Sequence, residues 1–273
     1  MNHPNIYSLC NELLQHITYF LNDKCKMSFF MTCTEIYNLR ECVIYNNCYD
    51  YHKIKNLSFY HKFTCVRNIP STKFINKNMT YISFFSCFNE DVVGHLPDTL
   101  TYLKFGNDFN KSLSKKLDNG EIELALGKNI KHLYFGENFN QNVFGCLPNS
   151  IQDLYFGDNF DQPLKTYRKN KEGISIVITA IPNNIVNLYF GKNFNQDISE
   201  CIPNTVKYLR LPEDYQGDLM GVLPISINEL EIPCKCIDQY VIPEKIKYLK
   251  ITNIFDKEKL KYLPSSVTKL SIT

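Results

Sequence analysis

Apolar residues recur along most of this 273-residue chain with a short beat inside a long one. The short beat is Ile151-x-x-Leu154-x-Phe156-x-x-Asn159, and it returns as Ile130/Leu133/Phe135/Asn138 and Ile185/Leu188/Phe190/Asn193. Aligned on the central position, the copies fall at Ile82, Leu103, Leu133, Leu154, Leu188, Leu209, Leu230, Leu249 and Leu270. The steps between them are 21, 30, 21, 34, 21, 21, 19 and 21 residues. Two apolar residues flanking one variable position belong to a short strand, because strand side chains alternate between faces. A fixed period of this length belongs to stacked coils, each too small to bury its apolar face alone.

The other positions agree with that reading. A proline stands six residues before Leu103, Leu188, Leu209, Leu249 and Leu270. Its fixed φ and missing N–H suit an outer loop returning to the strand, and recurrent Pro and Gly exclude an array of amphipathic helices. The Asn after each strand is expected to hydrogen-bond backbone of its own and the next coil; Asp108, Asp214 and Cys87 stand there in other copies. Phe139, Phe160 and Phe194 are expected to fill the turn side of the core. The two long steps are one period plus insertions at about 111–120 and 165–178, expected to bulge from one coil and leave the stack intact. The basic run KTYRKNKEG at 165–173 reads as a mobile loop open to an acidic partner.

Residues 8–39 have a different rhythm. Leu13, Leu14, Ile17, Phe20 and Leu21 recur at helical spacing, Asp23 is the expected cap of a second helix, and Thr34 of a short third. The expected fold class is therefore α+β, a three-helix unit followed by a solenoid with a parallel strand ladder. Its divisions are 1–48 helical, 49–75 a connection or degenerate first coil around Leu57 and Phe59, and 76–273 the solenoid.

The phrase IPNNIVNLYFGKNFNQDI at 181–198 resembles the FNIP repeat, a leucine-rich-repeat variant of social amoebae and giant DNA viruses. The likeness runs over roughly 76–273 and fades where Leu211-Pro212 and Ile232-Pro233 replace Phe-Gly. Leu9-Cys10-Asn11-Glu12-Leu13-Leu14-Gln15-His16-Ile17, with Thr32-Cys33-Thr34-Glu35-Ile36, resembles an F-box. Cys10 stands where that family has Pro and loses the fixed φ; Ile36 stands where it has Trp and keeps a smaller apolar side chain. The resemblance implies a Skp1-like adaptor as partner, docked through Leu9, Cys10, Glu12, Leu13, Leu14, Ile17 and Leu21. A plain helical cap sealing the first coil is the competing reading of these helices.

Composition narrows the chemistry. With 30 basic and 28 acidic residues no global field draws the chain to nucleic acid or to an anionic membrane, and no run of about 18 apolar residues would span one. The 11 cysteines are irregularly spaced and, with no signal-peptide pattern at the start, are expected to be reduced inside a cell, in the host cytoplasm. Cys234-Lys235-Cys236 has no second ligand pair at metal spacing, so no metal or other cofactor is expected. No nucleophile, phosphate-loop or metalloprotease motif occurs, and the six histidines are scattered, so an enzyme is not expected.

If Leu154 and Phe156 point inward, their neighbours point out in two columns. Tyr102, His132, Asp153, Asn187 and Tyr208 form one; Lys104, Tyr134, Tyr155, Tyr189 and Arg210 form the other. These ten are the expected face for an unknown target protein; together with the F-box resemblance, that implies a substrate-recruiting adaptor of a Skp1–cullin–F-box ubiquitin ligase. A repeat scaffold without a ubiquitin role is the alternative. Tyrosine also suits strands in general, and AT-rich coding alone would enrich it. The last strand, ending VTKLSIT, is expected either to fray or to self-associate weakly along its edge.

Overall fold

The computed structural model describes residues 11–169, 172–238, 241–253 and 256–273. The chain starts with helices α1 (Asn11–Tyr19), α2 (Asp23–Phe30) and α3 (Thr34–Tyr37). Strands β1 (Tyr45–Asp50), β2 (Phe63–Ile69), β3 (Tyr81–Phe84) and β4 (Tyr102–Lys104) follow. A hairpin of β5 (Ser114–Lys116) and β6 (Ile122–Leu124) precedes β7 (His132–Tyr134) and β8 (Asp153–Tyr155). A second hairpin, β9 (Lys165–Lys169) and β10 (Ser175–Thr179), precedes β11 (Asn187–Tyr189), β12 (Tyr208–Arg210), β13 (Glu229–Pro233), β14 (Tyr248–Thr252) and β15 (Lys269–Ile272). Apart from the two hairpins, the strands among the described residues form one parallel ladder of 11 in chain order.

The central apolar residues are the rungs. Leu103 pairs with Leu133 across a 30-residue step and Leu154 with Leu188 across 34, in the same register as the 21-residue steps. The insertions fold as antiparallel hairpins and leave that register untouched. Their bases close at equivalent points, where Ala125 N–H donates to Leu113 O and Ala180 N–H to Leu164 O, both 2.8 Å. The basic run therefore supplies a paired strand, β9, where a mobile loop was expected.

Two phenylalanine columns fill the core. Phe84, Phe105, Phe135, Phe156 and Phe190 stack from coil to coil at 5.5–5.8 Å. Phe88, Phe109, Phe139, Phe160, Phe194 and Tyr215 stack farther from the ladder at 5.9–6.2 Å. Outward tyrosines in register on neighbouring strands lie closer, at 3.7–4.2 Å.

The Asn positions divide the labour differently from the expectation. Asn193, Asn159 and Asn138 pass a side-chain chain of hydrogen bonds to Asp108 at 2.7–3.2 Å, on the surface. Backbone satisfaction falls to the residue after the second Phe: Asn140 Oδ1 accepts from Asp161 N–H and from Gln162 Nε2, and Asp161 Oδ1 from Asn195 N–H and Gln196 Nε2, at 2.9–3.0 Å. Only an oxygen is used there, which is why Asp161 substitutes for Asn.

The ladder starts earlier than Leu57 and Phe59. Those residues lie at a turn, and Val66 of β2 takes the rung opposite Ile82. Leu57 is exposed while Phe59 fills core beside Tyr45 and Phe63. The helix caps also move one residue upstream. Asn22 Oδ1 accepts Cys25 N–H at 2.9 Å, and Cys33 Sγ accepts Ile36 N–H at 3.5 Å. Asp23, released from capping, turns inward to 2% exposure. Its Oδ2 accepts Asn47 N–H at 2.8 Å and its Oδ1 accepts Asn46 N–H at 3.3 Å, while Lys26 Nζ donates to it and to Ile44 O. A buried ion pair thus satisfies backbone groups along the outer edge of β1, which would otherwise be an open strand edge.

Candidate functional site

The outward residues fall into the two columns expected. Tyr102, His132, Asp153, Asn187 and Tyr208 are successive partners in one, and Lys104, Tyr134, Tyr155, Tyr189 and Arg210 in the other. Six rings join into one stack that crosses between them. Tyr81 stacks on Tyr102 at 4.1 Å, Tyr102 meets Tyr134 at 5.1 Å, Tyr134 meets Tyr155 at 4.2 Å, Tyr155 meets Tyr189 at 3.7 Å, and Tyr189 meets Tyr208 at 4.5 Å. The crossing occurs where His132 replaces a Tyr in the first column, so Tyr102 leans to the nearest ring in the next. Tyr81 was missed as a site residue, although its place before Ile82 matches that of Tyr102 before Leu103.

Stacking uses up the ring faces, so the tyrosines present edges and hydroxyls to solvent. Burial, then neighbouring phenols, raises the hydroxyls of Tyr102 and Tyr155 above the usual phenol range, keeping them protonated donors. Beside them runs a polar line. His132 Nδ1 and Asn187 Nδ2 each lie 2.5 Å from a different Asp153 oxygen. Farther along, Glu231 accepts from Tyr208 at 3.1 Å and pairs with Arg210 at 3.3 Å and Lys250 at 3.0 Å. Glu231 itself is 8% exposed, so this end is a braced charge network and not a set of free arms. Lys104 remains exposed.

The helical site residues are split by the packing. Leu9 and Cys10 lie outside the described residues. Glu12 and Leu13 are exposed, Ile17 and Leu21 are half-buried, and Leu14 faces the core at 4% exposure, so it offers no contact surface. Three neighbours that sequence reasoning did not name as docking residues are more open: Tyr19 at 81%, Phe20 at 74% and Met31 at 71%. Phe20 lies on the face of Leu13 and His16, its ring 5.4 Å from that of His16. Among the described residues no group of three or more His, Cys, Asp or Glu could hold a metal ion, and no helix is long and apolar enough to cross a membrane.

Comparison with known proteins adds names to this geometry. The FNIP repeat model matches residues 143–166 and 175–214, so the chain carries FNIP repeats. Over 84 residues it is 33% identical to L165 of Acanthamoeba polyphaga mimivirus, provisionally named an F-box protein, covering 31% of each chain. Over 79 residues it is 37% identical to L414 of that virus, provisionally named an F-box and FNIP repeat-containing protein, covering 29% of this chain and 15% of the other. The chain thus spans a third or less of the length of these relatives. Among solved structures it resembles CroV588, described as a novel circular LRR protein, with a TM-score of 0.53 and 28% identity over 76% of this chain and 32% of that one. Repeat type and fold agree on a leucine-rich-repeat-like solenoid.

Proposed function

We propose that this chain is a non-catalytic adaptor that brings a target protein to a Skp1-type subunit of a cullin ubiquitin ligase in the host cytoplasm. The helical unit docks on the adaptor and the tyrosine face holds the target. The mechanism is proximity, a raised local concentration of target near the ubiquitin-charged enzyme. The observation that carries the reading is the two-sidedness of the helices. Leu14, Phe30, Ile36 and the Asp23–Lys26 pair are buried in the core, while Leu13 and Phe20, on the opposite face of α1 from Leu14, and Met31 after α2 stay open to solvent. Exposed apolar anchors of this size are what a partner surface uses.

The test is binding of the purified full chain to a purified Skp1-type adaptor. Leu13→Asp and Phe20→Asp, both at exposed positions, should each weaken binding by roughly 30-fold or more, the range of hot-spot losses. Undiminished binding by the double variant sinks the docking face. No binding by the wild type selects the alternative, a scaffold whose helices serve to seal the edge of β1.

Weak self-association through β15 is part of the same proposal. This strand leaves Leu270 40% and Ile272 47% exposed. Amide protection over 263–273 should grow with protein concentration. Concentration-independent fast exchange would mean fraying instead.

A further inference from the structure

Eleven cysteines were expected as thiols, and the structure departs from that at one point. Cys48 of β1 and Cys65 of β2 are bonded, with Cα atoms 4.5 Å apart. They are direct partners in the parallel register, in the outward column that continues to Tyr81 and Tyr102. Cys48 is exposed and Cys65 half-exposed, so the bridge lies open to solvent at the end of the tyrosine stack. The other cysteines among the described residues are free, and Cys146 and Cys201 are buried.

The place of the bridge gives it a consequence. The buried Asp23–Lys26 pair holds the helical unit to backbone groups of Ile44, Asn46 and Asn47. Cys48 is the next residue along, and the pairing of β1 with β2 shifts register between Tyr45 and Cys48. The bridge therefore spans the joint between the segment that carries the helices and the first regular rung of the ladder. A covalent tie there limits how far β1 opens from β2, and its loss leaves the joint to hydrogen bonds and to the ring contacts of Phe63 with Tyr45 and Tyr49.

We propose that Cys48 and Cys65 form a thiol–disulfide exchange site at which low-molecular-weight thiols of the glutathione class loosen the helical unit from the solenoid. A thiolate attacks Sγ of Cys48, the more exposed of the two residues. The S–S bond breaks, its electron pair goes to Sγ of Cys65, and that sulfur takes a proton. A second thiolate attacks the small-molecule sulfur of the mixed disulfide and releases Cys48, which is protonated. The protein disulfide is reduced by two electrons, and two thiols are oxidised to one small disulfide. The reverse sequence closes the bridge. This inference does not depend on the adaptor reading.

The test is a titration of the full chain through glutathione redox buffers, quenched by alkylation and read by peptide mass, with amide exchange measured at each end point. Oxidation should remove two hydrogens from the Cys48–Cys65 pair. Exposed lone cysteines such as Cys42 should instead stay alkylatable or gain a single glutathione. Reduction should speed exchange of the amides of residues 45–50 by up to roughly a hundredfold, the scale of closing a loop of about this length, while the amides of β7 and β8 stay unchanged. Cys48→Ala should exchange like the reduced wild type in every buffer; if that variant does not fold, the wild-type titration alone carries the test. Alkylation of both cysteines in the oxidised buffer overturns the proposal. So does glutathione carried on Cys48 without a bridge, or a bridge whose reduction leaves residues 45–50 unchanged.

Discussion

Gly157→Ala will destabilise the protein by about 3 kcal/mol or more, the upper range for overpacking a close-packed interior. A Cβ built on Gly157 would lie 1.7 Å from the carbonyl oxygen of Gly136 and 2.5 Å from its carbon. The same approach recurs at Gly106, Gly136 and Gly191, where the nearest atom is in each case a backbone oxygen of the preceding coil at 1.9–2.1 Å. No side chain can swing aside, so relief requires the coils to part. Parting them stretches the Asn159 N–H to Glu137 O bond of 2.9 Å and separates the Phe135 and Phe156 rings. The control is Gly145→Ala. Gly145 has φ +70° and nothing within 4 Å of a new Cβ, so its cost is left-handed strain alone, roughly 1–2 kcal/mol. Urea midpoints for the two variants decide the matter, and equal shifts would mean that coil spacing does not hold the stack together.

Leu154→Ala is the second large loss, ~2–5 kcal/mol through lost burial and the cavity left behind. Leu154 is fully buried, a rung between Leu133 and Leu188. Tyr155→Ala, one residue on and facing out, removes ring contacts at 4.2 Å to Tyr134 and 3.7 Å to Tyr189. At ~0.5–1.5 kcal/mol for each aromatic pair, the expected loss is about 1–2 kcal/mol. From alternation alone an outward tyrosine would be expected to cost far less than that. Denaturant titration of both variants tests the strand phase, and equal losses would place it one residue off.

Legibility in the sequence followed the range of the interactions. The nine rungs from Ile82 to Leu270 and the inward or outward sense of Tyr134, Asp153 and Tyr155 were readable because strand alternation and coil length are local properties repeated many times. The intact register across both insertions was readable for the same reason, since each flanking phrase is complete in itself. The basic run became a hairpin strand because Ile176 and Val177 pair across from Arg168 and Tyr167, a match between two stretches that neither reveals alone.

Other features were decided by tertiary structure. β1 and β2 carry degenerate patterns and took their places through pairing with the regular coils, and that pairing set Cys48 opposite Cys65. Asp23 looked like a helix cap and became a buried partner for the edge of β1, because only the folded arrangement exposes those backbone donors to it. The repeated glycines served in the sequence only to exclude a helical array, while their reason is the distance to the coil beneath. The period of a solenoid is written in each coil separately, whereas the gap between two coils depends on every side chain that holds them apart.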